Sequence, residues 1–186
     1  MTSAITLRLR GLVLAGAILF ADRWIKLFMV RHVGLEIRGV VPLLPFFDLR
    51  WAENYGVSYG IFTATSSDMR LALIALTGLI ALGVLVWLLR ERRGGDIAAL
   101  AMVLGGALGN IWDRIGHGFV IDYADFHVGS HRPFAIFNFA DAMITLGVTF
   151  LLARALLLRE KPANPAPDPA TTNDPALPMA DLENTR

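Results

Sequence analysis

The sequence predicts a mainly α-helical membrane protein: four transmembrane helices with a small antiparallel sheet outside the bilayer. Three observations predict it. The 186-residue chain is 55% hydrophobic and only 18% charged, against about 25% charged in an ordinary soluble domain. Four apolar runs, at about 9–30, 70–90, 97–115 and 134–155, are long enough to cross a membrane. Between the first two lies a stretch rich in turn residues and β-prone residues. The length allows one domain. The absence of cysteine excludes disulfides, thiolate catalysis and cysteine-held metal. A formal net charge of +1 singles out no partner, and no nucleic-acid partner is expected.

The first run follows Arg8 and Arg10, as in a cleaved signal peptide. Its end at Leu19-Phe20-Ala21 lacks the small residue a cleavage site needs, and apolar residues continue to Val30. A transmembrane helix with a polar far end is therefore expected. Asp22 and Lys26 are spaced i, i+4 and so share a face, which suits a structural ion pair. In 31–68, short β-prone runs at 40–41, 46–51 and 57–62 alternate with Gly34, Gly39, Pro42, Pro45, Asn54 and Gly56. They predict a small sheet on the membrane surface, with Trp51, Tyr55 and Tyr59 suited to the headgroup layer. Such a sheet offers an edge that an extended substrate stretch can pair with.

Residues 71–89 carry no charge and form the second span, followed by a basic loop around Arg90, Arg92 and Arg93. In the third span, Gly105 and Gly109 have GxxxG spacing, which suits close helix packing. Asn110, Asp113 and Arg114 line one face at its end. A non-helical segment then carries His117, Asp122, Asp125, His127, His131 and Arg132. The fourth span has Asn138 and Asp141 on one face near its start. Residues 162–186, rich in Pro, Ala, Asn and Asp, are expected to be a disordered tail after a domain spanning 1–161.

Four spans put both termini on one side, together with Arg8, Arg10, Arg90, Arg92, Arg93, Arg154, Arg159 and Lys161. The positive-inside rule makes that side the cytoplasm. Asp22, Asn110, Asp113, Asn138 and Asp141 then share one depth, near the opposite surface. An ionised group at a helix centre costs roughly +2.5 to +3.5 kcal/mol on insertion scales, so a cluster at one depth points to a shared site. Two neighbouring carboxylates can share a proton, one activating water while the other protonates a scissile carbonyl. Spacing leaves Asp22, Asp113, Asp122, Asp125 and Asp141 all as competitors for that pair.

Five blocks narrow the choice: Asp22…Lys26; Asn54-Tyr55-Gly56; Gly109-Asn110-Ile111-Trp112-Asp113-Arg114; Val120-Ile121-Asp122-Tyr123; and Phe137-Asn138-Phe139-Ala140-Asp141. In this order the sequence resembles the lipoprotein signal peptidases, integral-membrane aspartic peptidases of bacteria. The resemblance implies Asp122 and Asp141 as the catalytic dyad. It implies site support from Asn54, Gly56, Asn110, Asp113, Arg114 and Asn138, and structural roles for Asp22 and Lys26. It further implies an extracytoplasmic β-cradle at about 36–63 and a periplasmic loop at 116–133. The implied reaction removes a prolipoprotein signal peptide just before a diacylglyceryl-modified cysteine, without metal or other cofactor. The expected protein is a monomer in the inner membrane, in contact with lipid, its site near the periplasmic surface.

Three rivals remain on the residues alone. A metal-dependent hydrolase would use His127 and His131 with Asp122 or Asp125, although no HExxH pattern exists. A channel or transporter would use the intramembrane Asp and Asn groups for ions or protons, but no inverted repeat is visible. A non-enzymatic scaffold would tolerate amide replacements of Asp122 and Asp141.

Overall fold

The computed structural model describes residues 3–56 and 67–157. Helix α1 (Ala4–Phe28) continues into a π turn (Met29–Val33), followed by the short α2 (Leu35–Arg38). Strands β1 (Val40–Leu44) and β2 (Phe47–Asn54) come next, then α3 (Ser67–Arg90), α4 (Gly94–Gly116), β3 (Val120–Phe126) and α5 (Phe139–Leu157). Among the described residues, four helical stretches have the length and composition to cross a membrane: Ala4–Val33, Arg70–Arg90, Gly94–Gly116 and Phe139–Leu157. The expected class, four spans with a small antiparallel sheet, is the observed one.

Helix α4 is the centre of the bundle, and α1, α3 and α5 pack around it. Its small residues explain why. A Cβ built on Gly105 would lie 2.6 Å from the Ala15 carbonyl oxygen of α1, and one on Gly106 would lie 2.5 Å from the Ala140 carbonyl oxygen. Backbones can approach that closely only where side chains are absent, and dispersion contacts then hold helices together without help from water. A cluster of Ala15, Ala81, Leu88, Ile97, Leu100 and Leu104 fills the remaining space between α1, α3 and α4. The outer faces stay apolar and exposed, as at Leu79 and Leu156, which suits contact with lipid tails. At the arginine-rich end, Arg154 pairs with Asp96 at 2.9 Å. There Glu91 also accepts from the Arg92 and Arg93 backbone N–H groups.

Gly109, one turn beyond Gly105, faces the Asp22 carboxylate, 2.6 Å from where a Cβ would stand. Gly109→Ala is expected to cost about 1–3 kcal/mol, the usual range for overpacking. Gly16→Ala, with nothing within 4 Å of the new methyl, should be neutral or slightly stabilising. Thermal unfolding of the detergent-solubilised proteins compares the two.

The sheet is antiparallel in the order β1-β2-β3. The run 57–62 lies outside the described residues, as does the tail. The third strand among the described residues is β3, from the segment read as a loop, pairing Ala52 with Asp122 and Asn54 with Val120. β3 has no glycine or proline and is buried along nearly its whole length. A strand covered on both faces loses the alternation that marks a half-exposed one. Leu35, Leu49, Tyr123 and Ala124 form the core beneath the sheet.

Helix α5 begins at Phe139, later than the apolar run, because Phe137 pairs its backbone with Ala124 of β3 instead. Asn138 caps the helix: its side-chain Oδ1 accepts from Asp141 N at 2.9 Å, and the Asp141 Oδ2 accepts from Asn138 N at 3.2 Å. This reciprocal pair is a capping box.

Candidate active site

Three element ends meet at one end of the bundle: the ends of β2 and α4, and the start of α5, with β3 running between them. Asp122 stands on β3 and is 2% exposed. Asn54 at the end of β2 donates to its Oδ2 at 3.0 Å, and Asn138 donates to its Oδ1 at 2.6 Å. Asp141 lies in the first turn of α5, where the helix dipole favours a negative charge. Its Oδ1 accepts from Asn110 Nδ2 of α4 at 2.8 Å, and its Oδ2 accepts from the Asn138 backbone N–H. Asn138 thus touches both carboxylates, one through its side chain and one through the capping box. Each carboxylate receives two amide donors, which fix its orientation and place no full cation against it.

The amide orientations follow from the partners. Asn110 Oδ1 accepts from Lys26 Nζ and from Asn138 Nδ2, both at 3.2 Å. That leaves its NH₂ group to face Asp141. Asn54 is set the same way, since its Oδ1 accepts from Gly56 N at 2.8 Å. Gly56 has φ 86°, a left-handed conformation open mainly to glycine, and a Cβ there would meet Leu73 at 2.8 Å.

Behind the site lies a buried ion cluster. Lys26 Nζ sits 2.9 Å from Asp22 and 2.8 Å from Asp113, and all three side chains are essentially inaccessible. Arg23 also pairs with Asp113 and lies over the Trp112 ring. The cluster reaches the reacting face through backbone groups. Asp22 Oδ1 accepts from Ala140 N, and Asp113 Oδ2 accepts from Ile121 N, the residue before Asp122. With Tyr123 Oη accepting from Phe139 N and Asn138 capping Asp141 N, the first three N–H groups of α5 all have side-chain acceptors. Asp22 and Lys26 pair with each other in this cluster, and Asp113 stands with them rather than beside Asp122. Arg114 is half-buried near Gly56, within electrostatic range of Asp141, Asp122 and Asp113. Its Nε has no hydrogen-bond partner among the described residues.

Asp125, one of the competing carboxylates, is committed elsewhere. It accepts from Arg50 Nε of β2 at 2.7 Å and from Arg132 Nε at 3.0 Å. Burial raises its carboxyl, but the hydrogen bonds and charges of Arg132 and Arg50 outweigh that and hold it below the ordinary value. The histidine pair is also dispersed: His127 faces Asp48 at 3.2 Å, while His131 bridges to Val128 through its backbone. Strand addition beside Asp122 has no open edge between Ile121 and Ala124. There the Ile121 N–H meets Asp113, the Ile121 carbonyl meets Asn138, and Phe137 takes the Tyr123 and Ala124 N–H groups. The sheet's opposite edge is β1, interrupted at Pro42 by a shift in register.

Sequence reasoning gave no role to Arg23, Arg50, Arg132 or Tyr123. The three arginines act across elements, and no local spacing announces that. The capping box was visible as Asn138-Phe139-Ala140-Asp141, an N-cap residue followed three positions later by an acid.

Comparison with known proteins identifies a family. Residues 14–157 match the model of the family described as Signal peptidase (SPase) II. A "Lipoprotein signal peptidase" of Sphingopyxis alaskensis is 48% identical over 151 residues, covering 81% of this chain and 87% of that protein. One of Rhizorhabdus wittichii, with the same printed name, is 49% identical over 150 residues, again covering 81% and 87%. Among solved structures, a "Bacterial membrane enzyme structure by the in meso method at 1.9 A resolution" matches with TM-score 0.67 at 24% identity. It covers 82% of this chain and 94% of its own, a likeness of fold. The matched region reaches from mid-α1 to the last residue of α5 and so contains every element that meets at the paired carboxylates: the chain belongs to the signal peptidase II family and is a membrane peptidase.

Proposed function

We propose that this peptidase removes signal peptides from bacterial prolipoproteins by cutting just before a diacylglyceryl-modified cysteine, with Asp122 and Asp141 activating water. The observation that carries this reading is the bridge through Asn138, which ties the two carboxylates into one polar unit at the end of the bundle. One carboxylate takes a proton from water as the water oxygen bonds to the scissile carbonyl carbon. The other carboxyl gives its proton to the carbonyl oxygen. The tetrahedral gem-diol collapses as the C–N bond breaks: the departing amine takes the proton from the carboxyl, one diol hydroxyl gives its proton to the other carboxylate as it becomes a carbonyl, and the pair again holds one proton. Asn54, Asn110 and Asn138 hold the carboxylates through this cycle, Gly56 shapes the turn that presents Asn54, and Arg114 faces the substrate's polar groups. Asp113, with Asp22 and Lys26, supports the site from behind. Residues 1–161 form the catalytic unit, monomeric in the inner membrane, with the termini cytoplasmic and the site near the periplasmic surface.

The pair's pH behaviour follows. Burial, and next the charge of Asp141, push Asp122 up from 3.8 to about 7, against the opposing hydrogen bonds of Asn54 and Asn138. The dyad therefore keeps a shared proton near neutrality and loses it above. Log kcat/KM should fall with a slope approaching −1 as pH rises beyond about 7. A flat profile from pH 6 to 9 would contradict the shared proton.

The test is a gel-shift assay with a diacylglyceryl-modified prolipoprotein and the protein in detergent or liposomes. Cleavage of the modified precursor, and not of the unmodified one, is the expected result. Equal cleavage of both would remove the lipid requirement, and cleavage of neither would remove the assignment.

A further inference from the structure

A groove of about 500 Å³ opens beside Asp141. Phe126, Phe134 and Phe137 form one wall, and Asp141, Thr145 and Leu146 of α5 form the other. From Asp141 to Leu146 it descends about 7 Å along the helix axis at 1.5 Å per residue. Phe134 and Leu146 are exposed, so the groove is open sideways toward lipid.

We infer that this groove seats one acyl chain of the substrate's diacylglyceryl group while its glyceryl end stays at the carboxylates. The inference rests on the proposed reaction and makes the acyl chain part of what the enzyme recognises. Two physical arguments favour an alkyl chain. A peptide segment carries a donor and an acceptor at nearly every residue. Beyond Asp141, the lining side chains among the described residues offer only the Thr145 hydroxyl to meet them. Amides left unsatisfied at membrane depth are costly, whereas an alkyl chain needs no partner and gains by burying its surface against three phenylalanines and Leu146. Charge at the mouth separates the substrate from bulk phospholipid. Asp141 and Asp122 repel a phosphate there, but a diacylglyceryl thioether is uncharged.

The groove makes chain length a specificity element. The full-length enzyme is assayed in mixed micelles with one prolipoprotein carrying either dipalmitoylglyceryl or dibutyrylglyceryl on its cysteine. The quantity read is the ratio of kcat/KM values, long over short. Partitioning into the micelle belongs to the substrate and cancels between enzyme variants. Wild type should favour the long-chain substrate by at least about tenfold, since each methylene in an apolar pocket adds discrimination. Leu146→Trp, which fills the groove, should bring the ratio toward one, chiefly through a higher KM for the long chain. Ala142→Leu narrows the groove one turn nearer Asp141 and gives the same reading if the tryptophan variant fails to insert. Leu156→Trp, on an exposed position at the far end of α5, should keep the wild-type ratio. A wild-type ratio near one, or a ratio that survives both groove variants, overturns the inference and means that lipid or another part of this chain occupies the groove. Cleavage of both substrates at equal rates refutes the groove alone; failure to cleave either refutes the proposed reaction.

Discussion

Asp122→Asn and Asp141→Asn each leave a diacylglyceryl-modified prolipoprotein uncut, with kcat/KM down by at least about 10³-fold, while the protein still inserts and folds. An amide copies the shape of a carboxylate but cannot cycle a proton, and positioned acid–base groups contribute roughly 10²–10⁴-fold each. The fold survives because both sites already sit among amides: Asn54 and Asn138 flank Asp122, and Asn110 and Asn138 flank Asp141. The first variant carries a second signature. Asp122 holds a proton in the folded protein up to about pH 7, whereas the unfolded chain releases it near 3.8. The stability linked to that proton is complete below pH 3.8 and is lost as pH rises through about 7. Asp122→Asn has no such loss. Its Tm should therefore gain on wild type between pH 4 and 7 and stay several degrees higher above. A variant that cleaves normally, or a Tm difference that does not change with pH, would dismantle the proposed role of Asp122.

Lys26→Met should be the most destabilising single change outside the dyad. The methionine keeps the apolar stem and removes the cation, leaving Asp22 and Asp113 buried with their common partner gone. Breaking a buried pair from one side costs about 3–5 kcal/mol, a large share of the ~5–15 kcal/mol that typically holds a domain folded. Arg23 softens the loss at Asp113 alone. Arg23→Met should therefore cost less, because its side chain is 19% exposed and Lys26 remains. Replacing Lys26, Asp22 and Asp113 together with Met, Asn and Asn should recover part of the stability, since no unpaired charge then remains. Activity should fall further than stability, because Lys26 also fixes the amide that Asn110 turns toward Asp141. Thermal unfolding and single-turnover cleavage on the folded fraction separate the two effects. A Lys26→Met protein as stable as wild type would show that the cluster does not hold the bundle.

Hydropathy and charge by themselves determined the four spans, because a bilayer demands long apolar segments whatever they pack against. Helical spacing determined that Asp22 and Lys26 share a face, and that Gly105 and Gly109 do. The ordered motif blocks determined the family. Tertiary structure decided the partners of five aspartates that the residues alone left equivalent. Asp125 is taken by Arg50 and Arg132, Asp113 and Asp22 by Lys26, and Asp122 and Asp141 are left with amide partners and a common link through Asn138. It also decided that β3 completes the sheet and that the edge beside Asp122 is closed. The physical reason is range. Span and face follow from neighbours within a few residues, whereas a carboxylate's role depends on the cation or amide packed against it, and Arg50 stands 75 residues from Asp125.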